Sequence, residues 1–112
     1  MATNFRRLGA VDLSTGAATT VYTLPSVATE AQFKVVITNY SAGAVTFNLW
    51  IQPSGALTTQ DKIATGTSIP ANGTLEYTGY ALSGVDGLGR IQVQAGTAGT
   101  LNVSVHGFTR SI

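Results

Sequence analysis

The amino-acid sequence predicts an all-β chain, a single-domain antiparallel β-sandwich of about eight strands with jelly-roll character. Short segments rich in Val, Ile, Thr, Tyr and Phe recur along it, several of them alternate apolar and polar residues with a period of two, and 13 glycines punctuate them. No window keeps apolar residues at i, i+3, i+4 and i+7 without a Gly or Pro breaking it, so no helix of ordinary length is expected.

In chain order the expected strands are residues 8–13, 19–24, 32–38, 44–52, 62–69, 74–82, 90–95 and 100–106. The clearest is 44–52, where Val45, Phe47, Leu49 and Ile51 alternate with Thr46, Asn48, Trp50 and Gln52, which predicts one buried face. Residues 90–95 set Ile91, Val93 and Ala95 against Gln92 and Gln94. Residues 100–106 set Leu101, Val103 and Val105 against Asn102, Ser104 and His106. These two segments are expected to form a hairpin across Gly96-Thr97-Ala98-Gly99. In residues 32–38, Phe33, Val35 and Ile37 share one face and Val36 lies on the other, as in a central strand covered on both sides. Asn72-Gly73 and Asp86-Gly87 read as hairpin turns whose glycine can take a positive φ. Strands at this spacing suggest a sandwich or barrel, with a jelly roll as the best fit and an immunoglobulin-like sandwich as the alternative.

Residues 1–112 read as one domain, because a chain this short cannot be divided and leave each half a core. The hydrophobic share is 44%, enough for that core, whereas charged residues make up 10% against ~25% in ordinary domains. A surface built from Thr, Ser, Asn, Gln and Gly suits faces that meet other proteins. Six basic and five acidic residues, dispersed along the chain apart from the pair Arg6-Arg7, give a net charge of +1 and offer no field for a phosphate backbone or an anionic membrane. Neither nucleic acid nor membrane is therefore an expected partner. Cysteine is absent, which removes disulfides and thiolate chemistry. No apolar run of signal-peptide length follows Arg6 and Arg7, so the expectation is a chain made in the cytoplasm and not exported by a classical route.

Chemistry-bearing patterns are few. His106 is the single histidine and falls on the polar side of the last strand, where a surface role is expected. Asp12, Glu30, Asp61, Glu76 and Asp86 lie in separate segments, and no nucleophile elbow or metal-ligand spacing occurs. Gly87-Leu88-Gly89 reads as a loop. Asn39-Tyr40-Ser41, Asn72-Gly73-Thr74 and Asn102-Val103-Ser104 match the glycosylation pattern, as chance alone allows in a chain rich in these residues. No enzyme, cofactor, metal or small-molecule substrate is expected. Trp50 breaks the rule of its strand by falling on the polar face between Asn48 and Gln52. A partner subunit or a loop of the chain itself would each account for it, and Tyr22, Tyr40 and Tyr80 could join it in a contact patch.

The run Val21-Tyr22-Thr23-Leu24-Pro25, then residues 31–39 ending in Asn39, then Ala44-Val45-Thr46-Phe47, resembles small β-sandwich virion proteins of tailed bacteriophages. Residues 69–77 and the closing segment 101–107 are similar to later strands of that group, so the resemblance covers roughly residues 20–108. It implies a protein that decorates heads or builds tail parts, commonly as a trimer. A decoration or cement protein of this type would bind junctions between major capsid subunits on the outer surface of the virion. Residues 1–7, with Phe5, Arg6 and Arg7, could form an extended arm reaching a neighbour. The competing reading is a tail- or fibre-associated module that binds a receptor or glycan.

Overall fold

The computed structural model describes residues 5–14, 16–25, 29–51, 57, 62–83, 89–97 and 99–111. Eight strands run through them: β1 (Arg6–Asp12), β2 (Thr19–Thr23), β3 (Thr29–Asn39), β4 (Val45–Ile51), β5 (Lys62–Ile69), β6 (Thr74–Ser83), β7 (Arg90–Ala95) and β8 (Leu101–Ser111). Each overlaps an expected segment. The chief difference in extent is that β3 and β8 are each 11 residues long, because the two pair without interruption from Thr29↔Ser111 to Asn39↔Leu101. No helix occurs among the described residues.

All pairings are antiparallel and form two four-stranded sheets, sheet A in the order β1-β8-β3-β6 and sheet B in the order β2-β7-β4-β5. The partners β1/β8, β2/β7, β3/β6 and β4/β5 are those of one long ribbon folded back on itself. Rolling the ribbon then brings β3 beside β8 and β4 beside β7. This winding is the jelly roll. An immunoglobulin-like sandwich would contain several hairpin neighbours, whereas here only β4 and β5 are both consecutive and paired.

The expected hairpin between residues 90–95 and 100–106 does not form. β7 lies in sheet B and β8 in sheet A, and the connection crosses between sheets. Its backbone groups are taken by other segments: Gly96 N–H donates to Thr46 O at 2.7 Å and Gly99 N–H to Leu13 O at 2.8 Å. The turn at Asn72-Gly73 also joins the two sheets instead of closing a hairpin. There Gly73 N–H donates to Pro70 O at 2.9 Å, and Asn72, not Gly73, takes the positive φ of 58°. Asp86-Gly87 lies outside the described residues.

The core fills the space between the sheets. Val45, Phe47, Leu49 and Ile51 share one buried face as the alternation requires, opposite Val35, Ile37, Val103 and Val105 of sheet A. Phe47 meets Tyr77 edge to face at 6.1 Å between ring centres and so ties one sheet to the other. β3 is central in its sheet but covered on one side only: Val36 is half-buried on the outer face, flanked there by Lys34 and Thr38. Gly107 permits the closest approach between neighbouring strands, because a Cβ there would come within 2.0 Å of Gln32 O.

Every register shift adds its extra residue to an edge strand, never to a central one. β1 is bulged between Arg7 and Gly9, β2 between Thr20 and Tyr22, β6 opposite Phe33 and Val35, and β5 twice. Gly66 and Gly79 supply the positive φ in the bulged stretches of β5 and β6. The β3/β8 and β4/β7 ladders at the sheet centres are unbroken.

Candidate functional site

The alternation of each strand places its even or odd residues on an outer face, and the two outer faces differ in chemistry. Sheet B presents Thr20, Thr46, Asn48, Trp50, Gln92 and Gln94, whose polar groups largely satisfy one another. Asn48 Nδ2 donates to Gln94 Oε1 at 3.1 Å, Gln94 Nε2 to Gly16 O at 3.0 Å, and Gln92 Nε2 to Thr20 Oγ1 at 2.9 Å. Gly66 N–H donates to Asn48 Oδ1 at 2.9 Å and so pins the β5 bulge to the same network. Trp50 does lie on this outer face, yet it is only 7% exposed. Its own chain covers it, and the Lys62 ammonium sits 5.2 Å from the ring centre.

The tyrosines do not gather around Trp50. Tyr80 packs against the core from β6, and Tyr22 does so from β2. Burial pushes the Tyr22 phenol above its usual pKa, with the charge of Arg6 opposing. Tyr40 stands in the connection between β3 and β4, exposed, and its hydroxyl donates to Asp12 Oδ1 at 2.7 Å. That bond holds the phenolic proton and raises the Tyr40 pKa, with desolvation and the Asp12 charge acting in the same direction. A single aromatic patch is thus excluded, because the four residues belong to different sheets, faces and loops.

Arg6 and Arg7 are not part of a free arm. They open β1 and pair with Gly107 and His106 of β8. Phe5, just before the strand, is 64% exposed, and residues 1–4 of the expected arm lie outside the described residues. Phe108 continues the outward-facing set of β8 one alternation step beyond His106. It faces outward beside Gln32, and with Phe5, Phe33, Tyr80 and Ala81 it lines a hollow of about 410 Å³ at the β6 bulge. Next to this hollow, Arg7, His106 and Lys34 form a cross-strand row on β1, β8 and β3.

His106 contacts the Ser104 hydroxyl at 2.9 Å and is flanked by cations, not carboxylates. Glu30 accepts from Arg110, and Glu76 lies 3.8 Å from Lys34. Asp61 and Asp86 lie outside the described residues. Among the described residues no three His, Asp or Glu side chains are grouped so as to hold a metal ion. Asn39 is fully buried with its amide hydrogen-bonded, so the first glycosylation pattern offers no accessible nitrogen.

No family model matches the chain, and no curated protein does. Among solved structures it is similar to a chain in "Structure of infectious bursal disease virus Gx strain", at 10% identity and a TM-score of 0.38. The match covers 96% of this chain and 28% of that one, so this chain spans under a third of that neighbour's length. Likeness of this degree leaves function to be argued from the residues themselves.

Proposed function

We propose that the chain is a non-enzymatic structural protein of a phage virion, a decoration or cement protein that binds junctions between major capsid subunits. The observation that carries this reading is the outer face of sheet A, where Phe5 is 64% exposed and Phe108 partly so beside an apolar hollow. On a chain with so few charges, such a surface gains most by desolvation against another protein. The sequence resemblance over residues 20–108 supplies the virion and the homotrimer. Each copy bridging two shell subunits opposes their separation, so stabilisation follows occupancy, and a trimer adds avidity because its later contacts are intramolecular.

The test compares heads of the encoding virus with and without the protein, heated or diluted into low-magnesium buffer. Decorated heads are expected to retain DNA longer. Equal release, or the protein found only at the tail tip, would reject the reading. Light scattering decides the trimer, since a mass near 11.5 kDa would mean a monomer in isolation.

A second reading, a receptor- or glycan-binding module, is favoured by one feature. A polar hollow of about 340 Å³ on the same face is lined by Arg7, Asp12, Thr38, Asn102 and Ser104. Groups of this kind match sugar hydroxyls, and an array of immobilised glycans would test it.

A further inference from the structure

The two sheets offer a partner three kinds of surface, and two of them are closed. Strand addition needs a regular row of free backbone groups, but each edge strand, β1, β2, β5 and β6, carries at least one bulge that breaks the row and twists it away. The outer face of sheet B has its amides hydrogen-bonded to one another and its one large aromatic side chain covered. The outer face of sheet A remains.

On that face the acids are largely committed. Glu30 is held by Arg110, and Asp12 accepts from Tyr40. Glu76 faces Lys34 at 3.8 Å, with 35% of the Lys34 side chain and 53% of the Glu76 side chain exposed, a loose pair that a better acceptor can replace. Arg7 is exposed and has no ion-pair partner among the described residues. One free cation, a second within easy reach and His106 between them suit one or two carboxylates. A polyanion is poorly served, because a phosphate backbone needs many more contacts and would meet Glu30, Glu76 and Asp12 on the same face. Two residues along β8 from His106, roughly 7 Å away, Phe108 opens onto the apolar hollow with Phe5 and Ala81.

From this juxtaposition we infer that the Arg7–His106–Lys34 row and the Phe5/Phe108 hollow form one docking site. Its occupant is a partner-protein segment with an acidic residue two positions from a bulky apolar one. In an extended segment that spacing puts both side chains on one face, the same roughly 7 Å apart, so carboxylate and apolar group seat together. The inference rests on the reading that this chain works by protein contact.

The experiment titrates the isotope-labelled full chain with two tripeptide probes, acetyl-Glu-Ala-Phe-amide and acetyl-Lys-Ala-Phe-amide, and follows backbone amide shifts. The acidic probe is expected to bind in the millimolar range, to move the amides of Arg7, Gln32, Lys34, His106 and Phe108, and to weaken with salt. Arg7→Glu and Phe5→Ala change exposed side chains and leave the melting temperature in place. Each is expected to weaken the probe on the order of tenfold. Absence of shifts at these amides, equal binding of the basic probe, or tighter binding of a single-stranded DNA 20-mer at this face would overturn the inference. Head-stabilisation assays separate it from the decoration reading. If the Arg7→Glu/Phe5→Ala double variant stabilised heads as well as the parent, this site would be rejected and decoration kept. If the parent left heads unaffected while the acidic probe bound, decoration would fall and the site would stand.

Discussion

Removing the Asn39 side chain should destabilise the fold far more than its size suggests. Asn39 is completely buried at the end of β3. Its amide nitrogen lies 2.9 Å from Gly43 O, 3.0 Å from Ile69 O and 3.2 Å from Pro70 O, and its Oδ1 accepts from Ser41 N–H at 2.9 Å and the Ser41 hydroxyl at 2.7 Å. One side chain thus joins the β3–β4 connection, the end of β5 and the turn that carries the chain from sheet B to sheet A. In Asn39→Ala, Pro70 O keeps the Gly73 N–H, Gly43 O keeps the Ser41 hydroxyl and Ile69 O keeps its ladder partner Val45, but both amide N–H bonds are lost and Ser41 N–H loses its acceptor. These three lost hydrogen bonds, two from the Asn39 amide and one from Ser41 N–H, cost about 1 kcal/mol each, so the total is roughly 3 kcal/mol. Against a stability of about 5–15 kcal/mol that is a large fraction. Urea unfolding followed by Trp50 fluorescence reads it directly, with a midpoint lowered by on the order of 1.5 M at an m-value of about 2 kcal/mol/M. Asn39→Asp should be worse at neutral pH, because it sets a carboxylate against three carbonyl oxygens. Its deficit should shrink as pH falls, since burial raises the new carboxyl's folded pKa and the protonated form can donate once. A change below about 0.5 kcal/mol in Asn39→Ala, or an Asn39→Asp variant equal to it at neutral pH, would refute this account.

Gly107→Ala should cost at least about 2 kcal/mol, since a Cβ would strike Gln32 O at 2.0 Å and Phe33 Cα at 2.7 Å. Gly43→Ala, where a Cβ meets nothing within 4 Å, should stay within about 0.5 kcal/mol in the same unfolding assay. Trp50 emission should be blue-shifted and resist iodide quenching, and Lys62→Ala should lower stability by about 0.5–1 kcal/mol. Emission at the wavelength of indole in water would contradict the burial. The phenols of Tyr22 and Tyr40 titrate above their ordinary value, so the folded chain holds those protons more tightly than the unfolded one. Their contribution is intact below the ordinary phenol pKa and lost as pH rises through the raised values. Stability should therefore fall in strongly alkaline buffer, less steeply in Tyr40→Phe, with phenolate absorbance following the titration.

The strands were legible in the amino-acid sequence because alternation is local: a strand with one buried face writes its period of two into consecutive residues. Val45, Phe47, Leu49 and Ile51 announce their face without reference to anything distant. Partners are not written that way. The five residues between β7 and β8 have the composition of a hairpin turn, yet the chain crosses from one sheet to the other there, because Thr46 O and Leu13 O take the N–H groups of Gly96 and Gly99. Which carbonyl waits beside a turn depends on strands 50 and more residues away. The edge bulges hide in the same manner, since an extra residue opposite a central strand exists only once the pair is formed.

The contact surface divides along the same line. The outward position of Phe108 follows from the alternation of β8, whereas the exposure of Phe5 beside it is seen only in the folded chain. The Arg7–His106–Lys34 row comes from three strands spread over the whole chain, and only the registers of β8 with β1 and β3 align it. Trp50 shows the converse. Its place on the outer face of sheet B was readable from the alternation, but its burial was not, because covering a side chain is a property of the folded surface around it and not of its neighbours in sequence.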